Sequence, residues 1–301
     1  MTSTSLIGID WGTSNVRGFR FDAAGNSLET RRFVAGLKQV AAGAWEATFT
    51  AQFGDWVQQQ PDAPVLMCGM VGSRQGWSEA PYLACPVHCD ALAERLHRIP
   101  GTSLKIISGL CTVDPDGTPD VMRGEETQLA GLDASGRRAV CLPGTHSKWV
   151  QIDGGRVIEF RTMMTGELFD LLLRHSLLAR MSEPGADDEA AFFGGIDRGG
   201  RSAGLLHDLF AVRTLRLFDK LAPTSVTDYL SGLLIGYELA SVEDMIPQGT
   251  PVTVIGSPEL TSRYLAALTR RHRAATVIDG ETAAAQGLWR IAVRARLAPS
   301  P

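Results

Sequence analysis

What this 301-residue sequence lacks narrows its class first. No apolar stretch approaches membrane-spanning length, and no long basic run is present. Lys and Arg number 29 against 33 for Asp and Glu, a net charge of −4, which argues against a nucleic-acid or anionic-membrane surface. No basic segment precedes the first strand-like run, so a secretory leader is not expected. Cysteine is sparse and odd in number, with Cys68, Cys85, Cys89, Cys111 and Cys141 in mostly apolar contexts, which points to reduced thiols in a cytoplasmic protein. Cys85-Pro86-Val87-His88-Cys89 has no second Cys/His pair to complete a zinc site. The G-x-x-x-x-G-K-[ST] loop is missing, as is a G-x-G-x-x-G turn after a strand, so neither a P-loop nor a dinucleotide fold is indicated.

What is present suits a globular protein. Hydrophobic residues make up 44% of the chain, which is long enough for two domains. Leu6–Trp11 and Val16–Phe21 read as a β-hairpin around Gly12-Thr13-Ser14. Gly12 permits close backbone approach, Thr13 and Ser14 offer hydroxyls, and Asp10 suits a hydrated Mg²⁺. An ordinary hairpin would use the same residues to stabilise its turn. Gly144-Thr145-His146-Ser147-Lys148 repeats the arrangement at a later strand end and adds the Lys148 cation. Two such turns can clamp a polyphosphate with Mg²⁺ between them.

Strands are expected at 27–33, 65–70, 105–109, 139–142, 148–152, 157–161, 252–255 and 276–278. Helices are expected at 39–60, 121–132, 165–181, 226–240, 260–270 and 281–294. The mixture predicts α/β domains with mixed sheets, and Asp114–Asp120 is the most linker-like stretch. The boundary is therefore expected at 120, giving domains 1–120 and 121–301 with the final helix at the hinge. Glu281–Gly287 and Ala130-Gly131 carry small residues that allow two helices to cross closely.

Further chemistry-bearing residues cluster in four places. Glu125 and Glu126 fall within the apolar arc of the 121–132 helix, where a carboxylate facing a cleft is a natural general base and a solvated pair at a helix start is the alternative. Ser73, Arg74 and Gln75 lie in a Gly-flanked loop, where Arg74 suits capture of a carboxylate or is simply a surface cation. Thr165 and Glu167 are a helix cap or a sugar contact. Gly256 and Ser257 end a strand before a helix, a usual ligand position.

These stretches in this order resemble the sugar kinase/actin/70-kDa heat-shock ATPase superfamily, and more closely the 2-dehydro-3-deoxygalactonokinases. The likeness rests on Ile9–Ser14, Gly69–Trp77, Arg123–Gln128, Pro143–Trp149 and Met164–Phe169. It implies two ribonuclease-H-like (actin-like ATPase) domains with mixed sheets flanking an interdomain cleft. The N-terminal domain would bind sugar acid and phosphate, and the C-terminal domain the nucleotide. The implied reaction is ATP-dependent phosphorylation of 2-dehydro-3-deoxy-D-galactonate at its terminal hydroxyl. Under it, Asp10 organises Mg²⁺ and Glu126 accepts the hydroxyl proton. Gly12, Thr13, Ser14, Gly144, Thr145, His146 and Lys148 hold phosphates, and Gly256 and Ser257 lie against adenosine. Arg74, Ser73, Gln75, Thr165 and Glu167 are expected to face the sugar acid, the role of Arg74 being read from its charge and not from the resemblance. The expected partners are ATP and a small sugar acid, with no nucleic acid or membrane, and a homodimer is compatible. A phosphohydrolase on the same fold and a nucleotide-gated binding module are the competing functions; the Arg74 loop speaks against the first, and the short chain with its helix-borne carboxylate against the second.

Overall fold

A computed structural model describes residues 3–133, 135–201 and 204–300. The chain opens with β1 (Leu6–Trp11), β2 (Val16–Phe21), β3 (Ser27–Phe33), helix α1 (Trp45–Gln59) and β4 (Val65–Gly69). Short elements follow: β5 (Tyr82–Ala84), β6 (Val87–His88), α2 (Ala91–Glu94), β7 (His97–Arg98), β8 (Lys105–Ile106), β9 (Gly109–Val113), β10 (Pro119–Met122) and α3 (Glu125–Ala130). Next come β11 (Arg137–Leu142), β12 (Ser147–Asp153), β13 (Arg156–Met163), α4 (Thr165–His175), α5 (Glu189–Gly199), α6 (Leu205–Leu217) and α7 (Val226–Ser241). The chain closes with β14 (Val252–Gly256), α8 (Pro258–Arg270), β15 (Ala275–Asp279) and α9 (Gly280–Arg294). No helix among the described residues is long and apolar enough to cross a membrane.

Two compact units emerge. The first holds the chain up to Gly136, the segment Ile152–Glu159 and everything from Asp279 onward. Its main sheet runs β3-β2-β1-β4-β8-β7, with β1 antiparallel to β2 and parallel to β4. Ile7, Ile9, Trp11 and Met67 pack against Trp45, Phe49, Phe53 and Trp56 of α1 to form its core. Burying aromatic and aliphatic side chains of this size contributes roughly 1.5–3 kcal/mol each, which is what holds the helix to the sheet.

The second unit holds Arg137–Gln151 and Phe160–Ile278. Its strands are ordered β15-β14-β11-β12-β13. Ala139, Cys141, Trp149, Val252 and Val254 pack one face of this sheet against α7 and α8 through Ile235, Leu239, Tyr264 and Leu268.

Several local expectations change. Asp114–Asp120 is no linker: Asp114 Oδ1 accepts the amides of Asp116 and Thr118, at 3.0 and 2.8 Å, and closes a hairpin between β9 and β10. The first unit therefore runs past 120 to Gly136 and reclaims α9 from the expected C-terminal domain. Met122 ends strand β10, and Gly124, at φ +108°, breaks the chain before α3 starts at Glu125. Helix α1 begins at Trp45, not Gln39, because the amides of Gly36, Leu37 and Lys38 are bonded to the carbonyls of Ser14, Gly12 and Thr13. Helices α5 and α6 went unrecognised in the sequence.

The small-residue crossing does form. A Cβ on Gly287 of α9 would stand 1.8 Å from the Thr127 carbonyl oxygen, and one on Gly131 would stand 2.3 Å from that of Ala283. Backbone therefore packs on backbone here, and α3 is held at a fixed depth.

Candidate active site

In the first unit, three strand-end segments converge. Asp10 near the end of β1 is the register partner of Cys68 near the end of β4, and Trp11 is that of Gly69. Gly69 adopts φ +87°, and a Cβ there would lie 2.5 Å from the Trp11 carbonyl oxygen. Gly124 approaches from the third side, its Cβ direction 3.4 Å from Gly69 Cα.

The 12–15 turn is built as the sequence suggests. Gly12 N–H donates to the Asn15 carbonyl at 2.8 Å, and the carbonyls of Gly12, Thr13 and Ser14 are occupied by amides of the 36–38 segment. Thr13 and Ser14 are exposed, and their amides and hydroxyls have no acceptor among the described residues. Carbonyls tied down and N–H groups left open make an anion-binding turn.

Asp10 is largely buried, with 17% of its side chain exposed. Burial pushes its carboxyl up, while Arg17, at 3.7 Å, and the Cys68 thiol, at 3.8 Å, oppose the shift. Arg17 also stands 3.7 Å from Glu281, which Arg32 grips through both carboxylate oxygens.

Glu126 is fully buried. Its Oε2 accepts the Gly124 amide at 2.6 Å and its Oε1 the Thr127 hydroxyl at 3.0 Å. Burial, reinforced by the neighbouring Glu125 charge, pushes its carboxyl up to about 8. Glu125 is half-buried and accepts the Arg123 amide at 3.0 Å. The thiol of Cys68 feels both Asp10 and Glu126, and burial raises it well above the ordinary thiol range.

The 69–77 loop is a compact turn. Trp77 N–H donates to Val71 O at 2.8 Å, Gly76 N–H to Ser73 O at 2.8 Å, and Ala80 N–H to Gly72 O at 2.9 Å. Arg74 is 87% exposed and faces Glu79, and Gln75 is exposed as well. The buried polar atoms here belong to Ser73 and Arg123, the latter missed in the sequence. Arg123 stacks on Tyr82 at 4.3 Å and gives one N–H to Ala80 O at 2.7 Å, while its Nε and Nη1, like Ser73 Oγ, have no hydrogen-bond partner.

The second unit carries the other turns. Parallel pairing of β11 with β14 sets Cys141 beside Val254, so the 143–146 and 256–257 turns leave neighbouring strand ends. The Cβ direction of Gly256 points to Pro143 Cγ at 3.4 Å, whereas that of Gly144 meets nothing within 4 Å. Thr145 and His146 are exposed. Lys148 is only 6% exposed, and its ammonium has no ion-pair or hydrogen-bond partner among the described residues. Alternation along β12 puts it on the face opposite Ser147 and Trp149.

Thr165 and Glu167 brace this turn. Glu167 N–H donates to Thr145 O at 2.9 Å, its carboxylate meets His146, and Thr165 donates to buried Glu238. Glu238 was also missed; a lone carboxylate in the apolar run Leu230–Leu239 was the signal that could have found it.

A family model described as 2-keto-3-deoxy-galactonokinase matches residues 10–291. The chain belongs to the 2-keto-3-deoxy-galactonokinase family. It is 39% identical to the 2-dehydro-3-deoxygalactonokinase of Escherichia coli K12 over 95% of this chain and 97% of that one. A solved structure from Sinorhizobium meliloti, assigned to the same activity, superposes with a TM-score of 0.88 at 35% identity, covering 96% and 98% of the two chains. The ADPNP-bound activator of 2-hydroxyisocaproyl-CoA dehydratase from Clostridium difficile shares the fold alone, at 13% identity, TM-score 0.52 and coverage of 96% and 95%. The chain is thus an α/β protein of the actin-like ATPase and sugar-kinase fold. A cavity of about 700 Å³ at the far end of α3, beside Leu129, Trp289, Arg290 and Arg294, includes none of the expected site residues.

Proposed function

We propose that this chain is a cytoplasmic kinase that transfers the γ-phosphoryl group of ATP to the terminal hydroxyl of 2-dehydro-3-deoxy-D-galactonate. The observation that carries the reading is family membership across residues 10–291, with the residues of the resemblance gathered at strand ends. In such a reaction, positioning and charge neutralisation supply most of the catalysis.

On the nucleotide side, the open amides around Gly144 and Thr145 and the unpartnered Lys148 ammonium are suited to phosphate oxygens, with Gly256 and Ser257 beside them for the adenosine. Gly12, Thr13 and Ser14 offer the second set of phosphate donors. No group of three or more His, Cys, Asp or Glu side chains that could hold a metal occurs among the described residues. The carboxylate of Asp10 fits a Mg²⁺ otherwise held by waters and phosphate oxygens, the habit of that ion. Once bound, the ion would neutralise phosphate charge. Asp10 would orient it, with Arg17 favouring its ionised form against the push of burial.

On the acceptor side, Glu126 takes the hydroxyl proton. Its carboxyl near 8 lies close to a working pH, as general base catalysis favours. The buried donors without partners, Ser73 Oγ and Arg123 Nε and Nη1, are the ones a substrate carboxylate would satisfy, whereas exposed Arg74 gains little by binding it.

A coupled ADP-release assay with Mg²⁺-ATP tests the function, comparing 2-dehydro-3-deoxygalactonate, its gluconate epimer, galactonate and no acceptor. ADP formed only with the first supports the kinase. ADP without acceptor indicates a phosphohydrolase, and no ADP under any condition indicates a binding module or another acid.

A further inference from the structure

Glu238 lies on α7 with 2% exposure, and no sequence motif drew attention to it. Its Oε1 accepts the Trp149 indole N–H at 2.7 Å. Its Oε2 accepts the Tyr264 hydroxyl at 2.9 Å and the Thr165 hydroxyl. Because the Tyr264 proton is committed to Glu238, Ser147 Oγ, at 2.9 Å from Tyr264, donates to the tyrosine oxygen. Oε1 thus accepts one proton and Oε2 two. Burial pushes the Glu238 carboxyl up while these hydrogen bonds oppose the shift, and no Lys or Arg forms an ion pair with it among the described residues. Burying a carboxyl group is costly unless its oxygens are hydrogen-bonded, as both are here.

The donors show which geometry is secured. Ser147 and Trp149 begin β12 directly after the 143–146 turn. Thr165 begins α4, whose next two residues lock the turn from the other side. A Cβ on Gly166 would stand 2.3 Å from Gly144 O, and Glu167 N–H holds Thr145 O. Tyr264 belongs to α8, the helix that follows Gly256 and Ser257. One carboxylate thus ties the exit of the phosphate turn, its bracing helix and the helix after the nucleotide turn.

We propose that Glu238 is a positioning residue that holds the 143–146 turn in its phosphate-binding shape, acting through Ser147, Trp149, Thr165 and Tyr264. This rests on the reading of that turn as an ATP site. The role predicts an effect confined to the nucleotide and absent from the acceptor.

The test measures KM for ATP, KM for the acceptor, kcat and near-UV circular dichroism for Glu238→Gln, Thr165→Ala and Tyr264→Phe, with Thr145→Ala as a control on the turn itself. Glu238→Gln keeps the volume but turns one acceptor into a donor that faces donors. It should raise KM for ATP tenfold or more with acceptor KM within twofold, and the two smaller cuts should raise it severalfold in folded protein. Should Glu238→Gln fail to fold, Thr165→Ala and Tyr264→Phe decide. Unchanged KM for ATP in folded variants, or equal increases for both substrates, overturns the role of Glu238 while Thr145→Ala still impairs ATP use. A Thr145→Ala variant with unaltered KM for ATP overturns the turn assignment, and the role of Glu238 with it.

Discussion

Cys68 is the register partner of Asp10 across the parallel pair β1–β4, and its thiol donates to Asp10 Oδ1 over 3.8 Å. The same sulfur feels the charge of Glu126 and meets the Thr127 hydroxyl, so one buried thiol neighbours both carboxylates proposed for metal and base.

A thiol held neutral by burial is a poor nucleophile. Cys68 and Cys141 should remain unmodified by iodoacetamide in native protein and react fully in urea, as mass spectrometry would read site by site. Rapid native labelling of Cys68 would contradict the enclosed site. Cys68→Ser, which keeps a donor, should retain more activity than Cys68→Val.

Glu126→Gln should lower kcat by about 10²- to 10⁴-fold, the usual worth of a general base, with ATP binding intact by calorimetry. Glu125→Gln should cost far less, and the reverse ranking would move the base to Glu125. In the wild type, kcat/KM should rise with pH along a limb near 8 that Glu126→Gln loses.

The same carboxyl makes a stability prediction of definite sign. Its folded value, about 8, lies above the ordinary carboxyl value of 4.5, so the folded state binds the extra proton between them. The stability it contributes is complete below that lower value and lost as pH rises through 8. Glu126→Gln should therefore gain in Tm relative to wild type between pH 5 and pH 9. A constant difference would show that Glu126 is ionised throughout.

Gly287→Ala forces a Cβ to within 1.8 Å of the Thr127 carbonyl oxygen. Overpacking of backbone against backbone should cost about 3 kcal/mol or more in urea unfolding. Because Thr127 follows Glu126, kcat should fall in the folded fraction as well. An unchanged midpoint would mean that the α3–α9 crossing is looser than described.

Arg74→Ala should change the acceptor KM by less than about threefold, given its exposure. Arg123→Lys, which loses the planar fork, should raise it by about tenfold or more. The opposite order would return the carboxylate to Arg74.

Much of this was legible in the residues themselves. The 12–15 and 143–148 turns declared themselves because strand alternation, glycine and hydroxyl residues are local signals. The α3–α9 crossing was readable from glycine and alanine alone, since only small side chains let backbones touch. Glu126 was marked by its apolar neighbours. The tertiary structure alone decided the rest. The expected linker at 114–120 became a hairpin because Asp114 finds its bonds within that turn. Only the structure shows that Arg74 is exposed while Ser73 Oγ and Arg123 Nε and Nη1 are buried without hydrogen-bond partners among the described residues, because burial is encoded by no local pattern. Thr165 and Glu167 became braces, and Glu238 their anchor, because hydrogen bonds over separations of 73 and 89 residues join segments that no window of sequence brings together.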